Sequence, residues 1–123
     1  VHWKELNAWK KAHELVLEIY KVTANFPKSE IFGITSQLRR SAFSVPANIV
    51  EGNSRNTTKD YIRFLYQARG SVEEVRYFLF LSNDIEYLDN KDFQRLEEEY
   101  SSVSKLINGL IKSMNKNVKG GKD

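Results

Sequence analysis

The chain has 123 residues, with 19 Lys and Arg against 16 Asp and Glu, and no cysteine. That length suits one domain with its own apolar core, and the absence of cysteine excludes disulfides, thiolate chemistry and cysteine-based zinc sites. No run approaches the roughly 18 apolar residues of a membrane span, and Val1-His2-Trp3-Lys4-Glu5 lacks the basic-then-apolar layout of a secretory leader, so no membrane partner and a cytoplasmic location are expected.

The first apolar series is Trp9, Ala12, Val16, Ile19, Thr23 and Phe26. Its alternating steps of three and four residues draw a stripe down one helical face. Asn7 suits the cap and Pro27 the stop. A second helix carries Ile34, Leu38, Ala42, Val45 and Ile49. Pro46 falls inside it and predicts a kink, because proline removes one helical hydrogen bond. Gly52 suits its end.

Asn53-Ser54-Arg55-Asn56-Thr57-Thr58 reads as a polar loop, with Thr57 or Thr58 capping the third helix. There Tyr61, Leu65, Ala68, Val72, Val75 and Leu79 form the seam. Asp89 or Asn90 caps the fourth helix, whose seam is Phe93, Leu96, Tyr100, Val103, Ile107, Leu110 and Met114. Four narrow seams with short links predict an all-α, up-down antiparallel four-helix bundle over residues 1–114. Residues 112–123 hold four lysines and one aspartate, net +3, equal to the whole chain's net charge. Residues 1–111 are therefore neutral, and 115–123 read as a disordered basic tail.

The third helix has a second apolar set, Ile62, Tyr66, Tyr77 and Phe80, roughly 120° from the first. These aromatics either lie flat on the surface or form a self-association surface, with Arg69 and Glu73 setting its register.

Catalytic constellations are missing. Di-metal bundles need Glu-x-x-His pairs, and neither His2 nor His13 has Glu three places before it. No phosphate loop or nucleophile elbow is present. Bundle-shaped ribonucleases place a histidine shortly after an arginine, whereas both histidines here precede every arginine. No enzyme activity, cofactor or metal is expected.

Two polar groups of residues remain. Gln37, Arg40, Ser44, Asn48 and Glu51 on the second helix group with Ser71 and Glu74 on the third, and Arg40, Ser44, Asn48 and Glu51 line one side of the second helix. They read as a structural network satisfying backbone groups freed by Pro46. Arg39, Arg40, Arg55, Lys59 and Arg63 are cationic and surround the corner between these helices. They read as a solvated, salt-bridged surface or as a phosphate-binding patch whose field adds up in a ring of subunits.

Several segments resemble a known family. They are Leu6-Asn7-Ala8-Trp9-Lys10-Lys11-Ala12, the run from Phe26-Pro27 to Ile34-Thr35, the run from Gln37-Leu38-Arg39-Arg40 to Val45-Pro46-Ala47-Asn48-Ile49-Val50-Glu51-Gly52, and Ala68-Arg69-Gly70-Ser71-Val72-Glu73-Glu74-Val75. Together they resemble the S23 ribosomal protein, or 23S rRNA intervening-sequence protein, family across about residues 5–114. The resemblance implies an up-down bundle assembling as a homopentamer. It also implies bacterial genes that in some cases lie within intervening sequences of 23S ribosomal RNA, and no settled biochemical activity. A related group accompanies reverse transcriptases of diversity-generating retroelements, where a basic pentameric barrel is taken to bind nucleic acid and the polymerase. This sequence differs from that group in its neutral body, and the arginine cluster is its comparable surface. Two readings follow: a homo-oligomeric RNA-binding accessory protein, or an oligomeric protein–protein adaptor that binds no nucleic acid.

Overall fold

Side-chain caps start the two long helices. Thr57 Oγ1 accepts the Asp60 amide at 3.1 Å, and Asp89 Oδ1 accepts the Asp92 amide at 2.7 Å. Each satisfies a first-turn amide that has no partner inside its helix. The computed structural model describes residues 1–121. Its helices are α1 (Asn7–Thr23), α2 (Ile34–Asn53), α3 (Thr58–Asp84) and α4 (Asn90–Lys119), with 3₁₀ turns at Trp3–Glu5 and Lys28–Glu30. No strand occurs among the described residues. Asn7 is the first residue of α1 and not its cap. The turn at Trp3–Glu5 runs straight into the helix, leaving Leu6 at the cap position.

The helices touch in the cyclic order α1, α2, α3, α4 and back to α1. Cross-helix pairs show that every neighbour is antiparallel. Arg39 on α2 meets Thr23 at the end of α1, Arg40 meets Glu74, and Asn53 meets Tyr61. Arg76 meets Glu97 and Arg69 meets Asn108, while Lys11 meets Glu99 and Glu18 meets Arg95. In each pair, position rises on one helix as it falls on the other. The fold is thus an up-down antiparallel bundle.

The seams predicted from spacing meet in the core. Ile19, Leu38, Ala42, Val45, Ile49, Leu65, Val72, Leu79, Leu96, Tyr100, Val103 and Ile107 are fully enclosed. Trp9, Val16, Ile34, Tyr61, Phe93, Leu110 and Met114 pack partly exposed at its margin. Burial of such side chains is worth about 1.5–3 kcal/mol each. It is the main force holding helices together whose individual propensities are modest. Buried Thr23, Ser41 and Ser82 donate back to carbonyls of their own helices at 2.7, 3.0 and 2.7 Å. Pro46 is buried within α2, which runs unbroken past it.

Two further expectations change. α4 continues to Lys119, so residues 115–119 are helical and not the start of a disordered tail. Met114 and Val118 keep the apolar seam going and pack against the core. Lys116 and Lys119 in the last turn complement the negative end of the helix dipole. Lys122 and Asp123, also assigned to that tail, lie outside the described residues. Gly52 lies inside the last turn of α2 and serves packing. A Cβ there would sit 2.8 Å from Phe64 Cβ and 3.0 Å from Tyr61 Cδ1, so its hydrogen lets α3 approach α2 closely.

Candidate nucleic-acid interface

The five cations grouped by sequence occupy two places. Arg39 and Arg40 lie near the start of α2, and Arg55, Lys59 and Arg63 flank its far end. At 1.5 Å per residue, Arg40 and Arg55 are separated by roughly 20 Å along the helix direction. Arg39 Nε donates to Thr23 Oγ1 at 2.9 Å, and its guanidinium packs 4.6 Å from the Tyr20 ring. Arg40 pairs with Glu74 and donates to Gln37 Oε1 at 3.1 Å. Both are committed to contacts within the bundle, and only the other three share the α2–α3 corner.

At that corner Arg55 pairs with Glu51 at 2.6 Å and lies 3.8 Å from Asp60, while Arg63 pairs with Asp60 at 2.7 Å. The two guanidiniums also pack 4.6 and 4.5 Å from the Phe64 ring. Phe64 is buried beneath them. Its position on the α2-facing side of α3 lies off the main seam, and spacing alone did not reveal it. The exposed ion pairs add little to stability, but they hold two planar cations in place. Lys59 is exposed beside them.

The proposed structural network also divides. Ser44 Oγ donates to the Arg40 carbonyl at 2.8 Å, and Asn48 Nδ2 donates to the Ser44 carbonyl at 2.8 Å. Glu51 turns to Arg55, and Ser71 is half-buried.

The topology has a larger electrostatic consequence. Up-down threading brings the start of α1, the α2–α3 corner and the end of α4 to one end of the bundle, the basal end. Dividing the helices at their midpoints, the basal half (residues 1–14, 44–71 and 105–121) holds eleven Lys and Arg against four Asp and Glu, net +7. The apical half (15–43 and 72–104) holds seven against eleven, net −4. A body that is neutral when read along the chain is therefore a strong dipole in three dimensions. Lys112, Lys116 and Lys119 extend the basic end along α4. At the apical end an open groove of about 700 Å³ is bordered by Glu86, Asp89 and Asp92 with Lys21, a poor environment for an anion.

The second face of α3 is narrower than spacing implied. Ile62 is only 8% exposed and belongs to the core, whereas Tyr66, Tyr77 and Phe80 are 45%, 59% and 55% exposed. Arg69 packs 4.7 Å from the Tyr66 ring and bonds to Asn108, and Glu73 pairs with Arg76 at 3.0 Å. Arg76 also donates to Glu97 at 2.6 and 2.8 Å, and this bond holds its guanidinium above its usual basicity. Further exposed apolar side chains, not read from the sequence, are Leu17 and Tyr20 on α1 and Phe43 on α2. They sit on two helices, so no single periodicity signals them.

Among the described residues no group of three or more His, Asp or Glu is placed to hold a metal ion, and no helix is long and apolar enough to cross a membrane. The sequence matches the 23S rRNA-intervening sequence protein family over residues 4–109. The chain belongs to that family. The fold of this 23S rRNA-intervening sequence family member resembles a crystal structure from Bacteroides thetaiotaomicron VPI-5482, a protein with unknown function from the S23 ribosomal protein family. The two are 27% identical, with a TM-score of 0.77, over 85% of this chain and 98% of that one. No curated protein matches the chain.

Proposed function

We propose that this chain is a homo-oligomeric RNA-binding accessory protein without catalytic activity, engaging RNA phosphates through its basal end. The observation that carries this reading is the segregation of charge, +7 in one half of the bundle and −4 in the other. Such a dipole orients the molecule towards a polyanion, and parallel subunits in a ring superpose their basic ends on one rim. The assembly itself is supported by two unlike sets of exposed apolar side chains, Tyr66, Tyr77 and Phe80 on α3 against Leu17, Tyr20 and Phe43 on α1 and α2. Unlike faces pair head to tail, and head-to-tail contacts that close form rings. Five is the subunit number that the family resemblance implies.

The test uses a labelled, structured fragment of ribosomal RNA. Affinity should fall steeply with salt as counterions are released. Reversing exposed Lys59, Lys112 and Lys116 to Glu should weaken binding at least tenfold and flatten the salt slope. Reversing apical Lys28 and Lys91 should leave both unchanged. Equal effects from the two sets, or salt-independent binding, would overturn the reading.

The adaptor reading is favoured by the same exposed aromatics, which serve a protein partner as well as another copy. Light scattering separates them. Tyr77→Glu with Phe80→Glu should yield soluble monomers, as should Leu17→Glu with Phe43→Glu, and mixing the two variants should give one-to-one dimers through the intact faces. Wild-type chains that are monomeric would remove the homo-oligomer and leave a foreign partner for those faces.

A further inference from the structure

The basal end also carries both tryptophans of the chain, each only half-buried, with Trp9 at the margin of the core. His2, Trp3, Trp9 and His13 form a row of four rings with successive centroids 5.0, 4.7 and 5.1 Å apart. Trp9 and His13 are stacked with only 4° between their planes, and Trp3 meets Trp9 edge-on at 61°. The tryptophans are half-buried, and the histidines at both ends of the row are exposed. The Trp3–Trp9 contact alone could be a staple that fastens the first turn to α1. A staple does not account for His13, which stacks on Trp9 and is itself exposed.

Cations surround this row. Lys4 Nζ lies 5.3 Å from the Trp3 ring, and Lys10 is exposed one turn before His13. The Val1 carbonyl accepts a bond from Asn53 Nδ2 at 3.1 Å, which ties the segment to the corner where Arg55 and Arg63 pack on Phe64. Flat rings interleaved with phosphate-binding cations form a surface suited to unpaired bases. A duplex keeps its base faces stacked on one another and offers such a platform nothing.

We propose that the His2–Trp3–Trp9–His13 row is a stacking platform for the bases of single-stranded RNA. This rests on the RNA reading above and refines it from RNA in general to unpaired strands. Because Trp3 and Trp9 are the chain's two tryptophans, selectively excited tryptophan emission reports on this row alone. The full chain is titrated at low salt with 12-nucleotide oligouridylate, with oligoadenylate, and with the duplex the two form. Anisotropy of an end label follows binding independently of stacking. Each single strand should bind and quench tryptophan emission, while the duplex should bind more weakly and leave emission unchanged. His13→Ala should lower single-strand affinity about 5- to 150-fold, the worth of one base stack. His13→Phe, which keeps an aromatic ring at that place, should retain most of the affinity. Binding without quenching, with His13→Ala matching the wild type, would overturn the platform and leave the RNA reading intact, as would a duplex that binds and quenches like the single strands. If neither these strands nor the structured ribosomal fragment binds, both readings fall together.

Discussion

Arg69 on α3 donates from Nη1 to Asn108 Oδ1 on α4 at 2.9 Å. This pair marks the antiparallel register of the two longest helices, as Arg76 and Glu97 do two turns further up. Followed downwards, the same register sets Ile62 opposite about residue 115. The last turns of α4 thus lie beside the base of α3, where Ile62 is buried.

Removing the chain from Asn115 onward should therefore destabilise the bundle. Val118 packs against the core and Ile62 is buried, so uncovering both costs about 1–2 kcal/mol. For a domain of this size that is a fall in Tm of roughly 3–8 °C, measurable by circular dichroism. An unchanged Tm would mean that these residues contribute no packing.

The extent of α4 and the burial of Ile62 both depart from the sequence-based reading. Asn115-Lys116-Asn117-Val118-Lys119-Gly120-Gly121 contains one apolar residue amid polar and glycine neighbours, and composition of that kind reads as disorder. What composition misses is that Val118 falls four residues after Met114, on the stripe that already faces the core. Ile62 was read as part of a second apolar face because it lies roughly 120° from the main seam, yet it is enclosed. The seams were legible because each lies on one helix and repeats several times. Charge polarity and the exposed set Leu17, Tyr20 and Phe43 were not, since each is a sum over helices that no single periodicity signals. The arginine cluster failed for the converse reason. Arg40 and Arg55 are near in sequence, yet a rigid helix holds them apart.

Three helical glycines should respond to alanine with opposite signs. Gly70 in α3 and Gly109 in α4 are exposed, and nothing lies within 4 Å of a Cβ built at either. Alanine at each should add about 0.5–1 kcal/mol by restricting the unfolded chain and favouring helix. Gly52→Ala places a methyl 2.8 Å from Phe64 Cβ and 3.2 Å from the Tyr61 carbonyl oxygen. Because the backbone cannot step aside cheaply, a net loss of about 1–3 kcal/mol is expected. Urea denaturation of the three variants checks the pattern. If Gly70→Ala stabilises the folded chain yet weakens its oligomer, a neighbouring subunit approaches α3 at that glycine.

Among the described residues, two core hydroxyls lack partners, Tyr100 Oη and Thr35 Oγ1. A hydroxyl enclosed without a hydrogen bond costs about 1–3 kcal/mol. Tyr100→Phe and Thr35→Val remove the oxygen while keeping most of the side chain's shape, so each should be neutral or stabilising by up to about 2 kcal/mol. A loss above about 1 kcal/mol at either position would point to a buried water bonded to that hydroxyl.

Tyr100 also contributes to the response of the bundle to alkali. Burial pushes its phenol well above the ordinary tyrosine value of 10.0, because the phenolate would have to sit in an apolar core. The neutral phenol is common to the folded and unfolded chains below pH 10, so stability from this residue is fully present there. Above pH 10 the unfolded chain releases the proton while the folded chain keeps it, and unfolding becomes easier as pH rises. One such group removes up to about 1.4 kcal/mol per pH unit beyond that point. Wild-type protein should therefore lose stability between pH 10 and 11.5 faster than Tyr100→Phe, with the two curves parallel between pH 7 and 9. Denaturant midpoints measured across both ranges decide it, and parallel curves throughout would mean that the phenol reaches solvent.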